Sequence, residues 1–354
     1  MRGELRPAAG KVSSSLFERV IKPSLGAGRH DVVVGPRSGV DVGVLNIGSG
    51  QVMVLTCDPL FVMPAYGWRR AAWFAVHIVA SDAATSGLCP SLCAIDLNLP
   101  LDMTDDELAL LWEGIHETCR DTGVAIVTGH TGRYEGCAYP MLGACTMMSI
   151  GSADGYVTPD MARVGDEVVI TKGAAIETTG QLGVVFERRI CDALGPDVAR
   201  EAAALFFHMS VVKDASIAAE IGVRDAGVTG MHDATERGVW GGLVEIAEAA
   251  GVGLTIDGDA IPVRPEVAAV CGLFRIDPFT ASSEGTLLIT CRPSKAACLV
   301  QRLQDEGIQA ARIGEVLPPE CGLSVTLEGR ATRLQSPETD PFWPAFTAAL
   351  EESR

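Results

Sequence analysis

Positions 231–236 read Met231-His232-Asp233-Ala234-Thr235-Glu236, one of four acidic stretches on which the interpretation of this chain depends. The other three are Gly39-Val40-Asp41, Thr56-Cys57-Asp58-Pro59 and Ala80-Ser81-Asp82-Ala83. Each lies where a hydrophobic strand or a small-residue helix is predicted to meet a turn. One aspartate at such a place is usually a cap or a turn former. Several that converge from separate elements would hold Mg²⁺ against the phosphates of a nucleotide, which favours an ATP-dependent enzyme.

The bulk composition of the 354 residues is that of a folded protein large enough for two domains. Apolar residues make up 47% of the chain and charged residues 21%, so a core can form. The formal net charge of −17 argues against a nucleic-acid or anionic-membrane surface, because those partners need clustered lysine and arginine. We therefore expect no nucleic-acid and no membrane partner, and a bound polyphosphate would need metal ions and local basic groups.

The eleven cysteines are scattered, and only Cys89 and Cys93 are closely spaced. Because no second pair completes a zinc-binding pattern, the cysteines are better interpreted as small core residues in a reducing compartment. The sequence from Met1 to Leu5 lacks the apolar stretch of a signal peptide. The longest apolar runs are interrupted well before membrane-spanning length. These patterns predict a soluble, cytoplasmic protein.

The first half of the chain is predicted to alternate strands and helices. Ser13-Ser14-Ser15 caps a short helix that Pro23 ends. The clearest helix opens with a capping box of Thr104 and Glu107 and carries one apolar stripe that ends near Gly123. Strands are predicted at 40–45 and 51–56, as a hairpin, and at 95–99, 124–128 and 140–150, with an alanine-rich helix at 68–86.

The second half is predicted to be another α/β unit of similar size. A short polar segment flanked by Pro159 and Gly165 marks the boundary, so that the domains span 1–157 and 158–334 and a tail spans 335–354. The tail contains Phe342, Trp343 and Phe346 and is expected to pack on the body. Strands are predicted at 167–171, 253–256, 286–290 and 310–313, and helices at 178–188, 198–221, 238–250 and after Ser294.

Most of the aspartates also have an ordinary structural explanation. Asp41 would face solvent on an edge strand, and Asp58 would make a turn hydrogen bond before Pro59. Asp82 is different, because an unpaired carboxylate in an alanine-rich, apolar segment would cost several kcal/mol. Its partner must be an arginine such as Arg69 or a metal ion. Two or three carboxylates that share one divalent ion would suit ATP chemistry.

Glycine-containing turns are candidates for phosphate binding. Gly129-His130-Thr131-Gly132 follows a predicted strand, so its amides and threonine hydroxyl could bind phosphate, and an ordinary glycine turn is the alternative. Thr171-Lys172-Gly173 also follows a strand but lacks the spacing of a Walker A loop. His232 and Asp233, with Glu236, precede a glycine-rich helix whose N-terminus could face an anion, although such a pair is commonly structural. The common hydrolase, zinc-protease and dinucleotide motifs are absent from the sequence.

The order of these motifs resembles that of the AIR synthase-like superfamily. That superfamily includes aminoimidazole ribonucleotide synthase, thiamine-monophosphate kinase, selenophosphate synthetase and the hydrogenase maturation protein HypE. The resemblance covers nearly the whole chain and is closest to the HypE-like branch. The motifs that carry it are Gly10-Lys11, Asp58-Pro59, the Asp82 helix, Gly129-His130-Thr131, Thr171-Lys172-Gly173, Met231-His232-Asp233-Ala234-Thr235, Ser283-Glu284-Gly285 and Gly314-Glu315-Val316.

The resemblance implies a two-domain α/β (α+β) fold in which the N-terminal domain dimerises through a shared β-barrel and ATP lies in a cleft. It implies transfer of the ATP γ-phosphoryl group to an oxygen atom, which is a carbamoyl-type oxygen in the HypE-like branch. The implied Mg²⁺ ligands are Asp41, Asp58, Asp82, Asp233 and Glu236. The implied nucleotide contacts are Lys11, Thr56, Gly129, Thr131, Lys172 and Thr235, and the catalytic candidates are Asp82, His130, His232 and Glu284.

Three features depart from the pattern of that branch. HypE proteins end in a tail whose final cysteine carries the substrate group, whereas this chain ends in Glu351-Glu352-Ser353-Arg354 and Cys321 lies too far back. His130 replaces an aspartate that binds metal in many relatives, and neutral imidazole does not supply the same charge. Arg237 interrupts the glycine-rich stretch after the second acidic motif, where it would contact phosphate or be exposed.

We therefore expect an ATP- and Mg²⁺-dependent enzyme that phosphorylates a carbonyl or amide oxygen of a small molecule and lacks the terminal cysteine of HypE. A small-molecule kinase similar to thiamine-monophosphate kinase, whose product keeps the phosphate, is the second hypothesis. The third is a nucleotide-binding maturation partner that turns over nothing. A homodimer is expected, and a maturation protein is a further candidate partner.

Overall fold

The computed structural model describes residues 11–352, and the first half of that region forms a sheet with helices on one face. Its strands are β1 (Val32–Val34), β2 (Gly43–Gly48), β3 (Gln51–Phe61), β4 (Leu92–Leu99), β5 (Ala125–Arg133) and β6 (Met141–Ser152). Its α-helices are α1 (Ser14–Leu16), α2 (Trp68–Ala84) and α3 (Asp105–Asp121). The strand order is β1-β2-β3-β6-β4-β5, and only β4 and β5 pair in parallel. Residues 1–10 and 353–354, which the predicted N-terminal domain and tail include, lie outside the described residues.

Helices α2 and α3 cover one face of this sheet. The alternation of β4 turns Cys93, Ile95 and Leu97 inward, where they belong to the same buried cluster as the alanines of α2. A Cβ atom at Gly114 of α3 would lie 2.6 Å from the Cβ of Ala72, so glycine permits the close approach of the two helices. This packing fixes α2, and the aspartate near its C-terminal end, against β3.

The second half of the described region forms another open sheet, in which β8 and β10 are buried along their whole length. Its strands are β7 (Glu167–Thr171), β8 (Val228–Asp233), β9 (Gly253–Asp257), β10 (Leu287–Cys291), β11 (Ala310–Leu317), β12 (Leu323–Leu327) and β13 (Arg330–Arg333). Its α-helices are α4 (Ile176–Val185), α5 (Glu187–Leu194), α6 (Pro196–Ala204), α7 (Val212–Glu220), α8 (Gly238–Ala250), α9 (Pro265–Phe274), α10 (Pro293–Asp305) and α11 (Phe342–Glu352). The strand order is β13-β12-β9-β11-β7-β10-β8.

The predicted strands and helices of the first half are present, with small shifts at their ends. The difference that matters is in β5, because Gly129 and His130 lie within the strand and not in a loop after it. They pair in parallel with Ile95 and Asp96 of β4. A Cβ atom at position 129 would lie 2.1 Å from the carbonyl oxygen of Ile95. The glycine is therefore explained by the close approach of two strands and not by a ligand.

The prediction of one helix over 198–221 is wrong. The chain instead forms α6, a 3-10 turn at Leu205–His208 and then α7. The break leaves Phe206 buried, with its ring centroid 5.2 Å from that of Tyr66, while Phe207 is exposed. Among the described residues no single helix has the length and apolar character needed to cross a membrane. The two segments Pro196–His208 and Val212–Glu220, which are bent relative to each other, together have the necessary length and apolar composition, and nothing more is implied by that.

Several elements were not predicted, namely β1, β8, β12, β13, α5, α9 and α11. Strand β8 is the important omission, because it carries His232 and Asp233 at its carboxyl end. The tail does pack on the body as expected. The ring of Phe346 lies 5.4 Å from that of Phe186, and the ring of Trp343 lies 5.9 Å from that of Phe61.

Candidate active site

His232 connects the two halves of the protein through its contact with Asp41, and both of its ring nitrogens contact carboxylates. Its Nδ1 lies 2.6 Å from Asp41 Oδ2, and its Nε2 lies 2.8 Å from Glu245 Oε2. Burial lowers the pKa of His232, but the charges and hydrogen bonds of the two carboxylates outweigh burial and raise that pKa well above its ordinary value. His232 is therefore a buried imidazolium that donates to both carboxylates and has no nitrogen left for a metal ion.

Asp82 lies near the end of α2 and is buried. Thr56 Oγ1, on β3, donates to Asp82 Oδ2 at 3.1 Å. Burial, followed by the charges of Asp58 and other aspartates, raises the pKa of Asp82 well above its ordinary value. Arg69 is not the partner of Asp82, because it is exposed and its guanidinium lies 3.6 Å from Glu117. The structure therefore excludes Arg69 as the partner of Asp82 and gives it Thr56 as a hydrogen-bond donor.

The deepest acidic groups lack the partners that buried carboxylates need. Among the described residues no N–H or hydroxyl group donates to either oxygen of Asp233 or to Oε2 of Glu284, and the two carboxyl groups interact with each other. Burial is the largest effect on Asp233, and together with the charge of Asp41 it raises the pKa of Asp233 to about 6. The charges of His232 and Lys11 lower this pKa by less. Burial and then the charge of Asp233 raise the pKa of Glu284 well above its ordinary value. Such orphaned acceptors indicate a site that a cation or a ligand completes.

A cleft of about 300 Å³ opens beside Asp82, which lines it, whereas Asp233 and Glu284 are not among its lining residues. The polar side chains that line it include Lys11, Asp41, Thr56, Asp58, Asp82, Arg237 and Glu245. Lys11 is exposed as a residue, but its ammonium group lies among carboxylates. Burial of that group lowers its pKa. The charges of Asp41 and Glu245 outweigh burial and raise the pKa above the ordinary lysine value. Arg237 donates from Nη2 to Glu245 Oε1 at 2.9 Å. The cleft therefore combines several carboxylates with two cations.

The donor set fits a hard divalent cation such as Mg²⁺, which prefers carboxylate oxygens. Asp41, Asp58, Asp82 and Asp233 come from four separate parts of the chain, namely the segment before β2, β3, α2 and β8. One ligand atom each of Asp41, His232 and Asp233 lies within 4.8 Å of the others. Since both nitrogens of His232 are already engaged, we assign it to orienting Asp41 and not to binding metal.

Gly129, His130 and Thr131 do not join this cleft within one chain. They lie on β5, an edge strand three positions from β3 in the sheet, which corresponds to about 14 Å. His130 Nε2 lies 2.6 Å from Tyr134 Oη, and both side chains are exposed. Their predicted catalytic and nucleotide-binding roles therefore require a second protomer.

Lys172 also differs from its predicted role as a phosphate contact. Its ammonium group is buried and lies 2.7 Å from Asp214 Oδ1, in an ion pair. It also donates to the backbone carbonyls of Ser210 at 2.8 Å and Gly285 at 2.7 Å. All three N–H donors are used, so none remains for a phosphate. Lys172 instead fixes the loop that carries the neighbouring Glu284.

Thr235 and Glu236 lie beside the cleft. The carbonyl oxygen of Thr235 accepts a hydrogen bond from the backbone N–H of Ser283 at 3.2 Å, which ties the loop after β8 to the loop that bears Glu284. Glu236 accepts a hydrogen bond from the backbone N–H of Lys11 at 3.0 Å and lines a second, larger cavity. The metal-binding role of Glu236 and the nucleotide-binding role of Thr235 stay predictions.

Two glutamates at the site, the half-buried Glu245 and the buried Glu177, were missed in the sequence. Glu245 of α8 partners His232, as described above. Glu177 of α4 accepts from the backbone N–H of Glu284 at 3.0 Å and from Gln181 Nε2 at 2.8 Å. Burial raises the pKa of Glu177 to about 8. The signal that could have found both is the one that identified Asp82, a lone carboxylate in an apolar helical segment.

Comparison with known proteins identifies the family. The sequence matches the family descriptions "AIR synthase related protein, N-terminal domain" over residues 39–150 and "AIR synthase related protein, C-terminal domain" over residues 163–325. Carbamoyl dehydratase HypE of Rhodobacter capsulatus is 32% identical over 293 residues, which cover 77% of this chain and 78% of the relative. The chain belongs to the AIR synthase related protein family. The superfamily predicted from the order of motifs is thereby confirmed, as is the two-domain α/β fold.

A second relative and three solved structures agree with that assignment. Carbamoyl dehydratase HypE of Rhizobium leguminosarum bv. viciae is 29% identical over 292 residues, covering 79% of this chain and 78% of the relative. HypE in a HypE–HypF complex has a TM-score of 0.69 at 20% identity, covering 91% of this chain and 100% of that chain. HypE in complex with ATP has a TM-score of 0.65 at 21% identity, covering 95% and 97%. AaThiL complexed with AMPPCP and TMP has a TM-score of 0.68 at 18% identity, covering 94% and 98%. At these identities the structures establish the fold alone.

Proposed function

We propose that the chain is an ATP- and Mg²⁺-dependent enzyme that transfers the γ-phosphoryl group of ATP to a carbonyl or amide oxygen of a small molecule. The observation that carries the proposal is the convergence of aspartates from four parts of the chain, with no N–H or hydroxyl donor to either oxygen of the buried Asp233 among the described residues. The relatives named carbamoyl dehydratase, and the structural neighbour that was solved with ATP, support this choice of chemistry.

Asp41, Asp58, Asp82 and Asp233 would hold Mg²⁺, which would offset the phosphate charge and hold the γ-phosphoryl group in line with the acceptor. The cations of the chain act beside them. Lys11 and Arg237 add positive charge where the phosphates would lie. His232 donates to Asp41 and Glu245 and so keeps the Asp41 carboxylate in one orientation.

The transfer forms a bond between the acceptor oxygen and the γ-phosphorus. The bond from that phosphorus to the bridging oxygen breaks, and its electron pair leaves with ADP. Glu284 is the candidate for exchanging a proton with the acceptor. It lies close enough to Asp233 and Ser81 to interact with both, and burial raises its pKa well above the ordinary glutamate value, which favours the protonated form.

The test of this function is ³¹P NMR of the protein with Mg-ATP and a pool of carboxamides, carbamoyl compounds and phosphomonoesters. After transfer, the O-phosphorylated amide loses phosphate, because its C–O bond breaks and its remaining N–H proton leaves to give a nitrile-like product. We therefore expect ADP and free phosphate to appear only when one carboxamide or carbamoyl compound is present, and EDTA to stop the reaction. A new phosphoester resonance without free phosphate would identify a small-molecule kinase instead. ATP that stays intact with every compound would contradict catalysis and favour a nucleotide-binding maturation partner.

We also propose that two copies associate through the first sheet. Cys93, Ile95 and Leu97 face α2, so the opposite face of that sheet has no helix over it in the described chain. Large apolar side chains that are 40–54% exposed lie in the strands of this sheet, namely Val32, Val33, Ile47, Val127, Met141 and Ile150. A dimer would remove this apolar surface from water. A barrel shared by two protomers, and a maturation-protein partner like that in the HypE–HypF complex, are parts of the proposal.

Val127→Glu is expected to convert the dimer to a monomer, because it places a charge in the apolar face of β5. Light scattering coupled to gel filtration should show twice the mass of one chain for the wild type and the mass of one chain for the variant. Val164→Glu is the matched control, since Val164 is 51% exposed but lies outside the first sheet, where Val127 is 54% exposed. If the wild-type protein has the mass of one chain, the proposed association of two copies is wrong.

A further inference from the structure

A second cavity, of about 850 Å³, lies beside the acidic cleft and shares Lys11 and Arg237 with it. One side of the second cavity is formed by residues in the segment 11–16 and the other by residues in the segment 338–351. Both segments lie outside the ranges that match the two family domains, 39–150 and 163–325. The cavity is therefore built largely by parts of this chain that the family pattern does not include.

Asp340 anchors the C-terminal side of this cavity to the proposed active site. It is 6% exposed, and its Oδ2 accepts from the backbone N–H of Arg237 and from Ser282 Oγ, each at 2.7 Å. Its Oδ1 accepts from the backbone N–H of Phe342 at 2.8 Å and so opens α11. One carboxylate thus holds α11 against the loop after β8 and the loop that bears Glu284. The wall of the cavity is fixed relative to the cleft.

The cavity has a planar apolar wall. Its apolar lining includes Leu16, Trp343, Pro344 and Ala348. The indole of Trp343 is held from the protein side, with its ring 5.9 Å from that of Phe61 and 4.9 Å from that of Phe342. Trp343 is itself only half-buried and lines the cavity. A fixed aromatic surface of this kind favours a ligand with a planar apolar body.

The cavity also carries negative charge that has no partner. Of its four carboxylates, Asp340 accepts three hydrogen bonds and Glu236 accepts one from the backbone N–H of Lys11. The side chains of Glu338 and Glu351 are exposed and make no ion pair or hydrogen bond with the residues from 11 to 352. The ammonium group of Lys11 and the guanidinium of Arg237 are directed to the carboxylates of the cleft instead. A ligand with a positively charged group would complement the two free glutamates.

We propose that this second cavity binds the phosphoryl acceptor, and that the acceptor is a small carboxamide with a planar apolar body and a cationic amino group. The amino group faces Glu338 and Glu351, the planar body lies on Trp343, and the amide end points past Arg237 into the acidic cleft. This inference rests on the proposed function for the identity of the reacting group. It goes beyond that function by naming the substrate class and the residues that select it.

The experiment measures the binding of two probes to the full chain by saturation-transfer NMR at roughly millimolar concentration, in the presence of Mg²⁺ and a non-hydrolysable ATP analogue. The probes are 3-(aminomethyl)benzamide and its uncharged counterpart 3-methylbenzamide. We expect the amino probe to bind the wild type and to lose roughly tenfold in affinity in Trp343→Ala. The double variant Glu338→Gln/Glu351→Gln should weaken the amino probe and not the methyl probe.

Two further variants separate a blocked cavity from a damaged fold. Ala348→Trp fills the cavity from an exposed position of α11 and should prevent binding of both probes without removing any packing. Leu350→Ala changes an exposed side chain of the same helix that does not line the cavity and should behave as the wild type. The proposal would be overturned if the amino probe bound equally to the wild type, Trp343→Ala and Ala348→Trp. It would also be overturned if the amino probe did not bind to the wild type.

Calorimetry with Mg-ATP alone distinguishes failure of this inference from failure of the proposed function. If Mg-ATP binds and the amino probe does not, the substrate class is wrong while the nucleotide site stands. If Mg-ATP does not bind, the proposed function fails. Specific binding of the amino probe would then show a ligand cavity in a protein without phosphoryl transfer, which would overturn the role of that cavity as the acceptor site.

Discussion

Asp82→Asn is expected to lower the rate of ATP-dependent phosphoryl transfer by roughly 10²–10³-fold, the size of effect seen when one electrostatic group of an active site is removed. The reason is that the amide keeps the shape of the side chain and the acceptor for Thr56 Oγ1 but loses the negative charge. Metal ions that bridge the enzyme and the phosphates depend on that charge.

The same variant should leave the metal-free protein at least as stable as the wild type. Burial and the neighbouring Asp58 raise the pKa of Asp82, which means that its charged form is disfavoured when no cation is present. Removing the charge relieves this repulsion. A structural aspartate would behave in the opposite way, because the loss of a needed hydrogen-bond acceptor destabilises a folded protein.

The measurements are the rate of acceptor-dependent ADP formation and the unfolding temperature in EDTA. Asp192→Asn is the matched control, because Asp192 is exposed on α5 and does not line the cleft. A variant that keeps the wild-type rate, or one that unfolds at a clearly lower temperature in EDTA, would contradict a metal-binding role for Asp82.

Elements whose signals are local were predicted well. The capping box of Thr104 and Glu107 marks the start of α3, and both of its hydrogen bonds form as expected. The alanine-rich α2 and the hairpin of β2 and β3 also depend on neighbouring residues alone. Strand β8 was missed because its polar end is buried. His232 belongs there only because Asp41, 191 residues earlier, is its partner.

The candidate site shows the same division. Asp82 stood out in the sequence because a carboxylate in an apolar segment is unusual, and the family resemblance added Asp41, Asp58 and Asp233, whose metal binding stays a prediction. The role of Lys172, which follows β7, could not be predicted. Its ammonium group pairs with Asp214, a residue 42 positions away in helix α7. The role of Gly129 could not be predicted either. A glycine that follows a predicted strand looks the same in the sequence whether it lies in a loop or where two paired strands approach closely.

Glu177→Gln is expected to stabilise the metal-free protein above pH 8 and to change its stability little near pH 5. Burial raises the pKa of Glu177 from 4.5 to about 8, so the folded state holds this proton more tightly than the unfolded chain does. The contribution of Glu177 to stability is therefore complete below pH 4.5 and is lost as the pH rises to about 8. Above that pH the buried carboxylate is charged, at a cost of up to about 5 kcal/mol.

Glutamine at position 177 stays neutral throughout this range. Its side-chain oxygen can still accept from the backbone N–H of Glu284, and its NH₂ group can donate to Gln181 Oε1, which has no partner among the described residues. Urea unfolding in EDTA at pH 5 and pH 9 measures the difference between wild type and variant. Glu187→Gln, at an exposed position of α5, is the control for the same substitution outside the buried site. The same difference between wild type and Glu177→Gln at both pH values would mean that Glu177 is already ionised in the folded protein, and that a cation or a shift of its neighbours supports it.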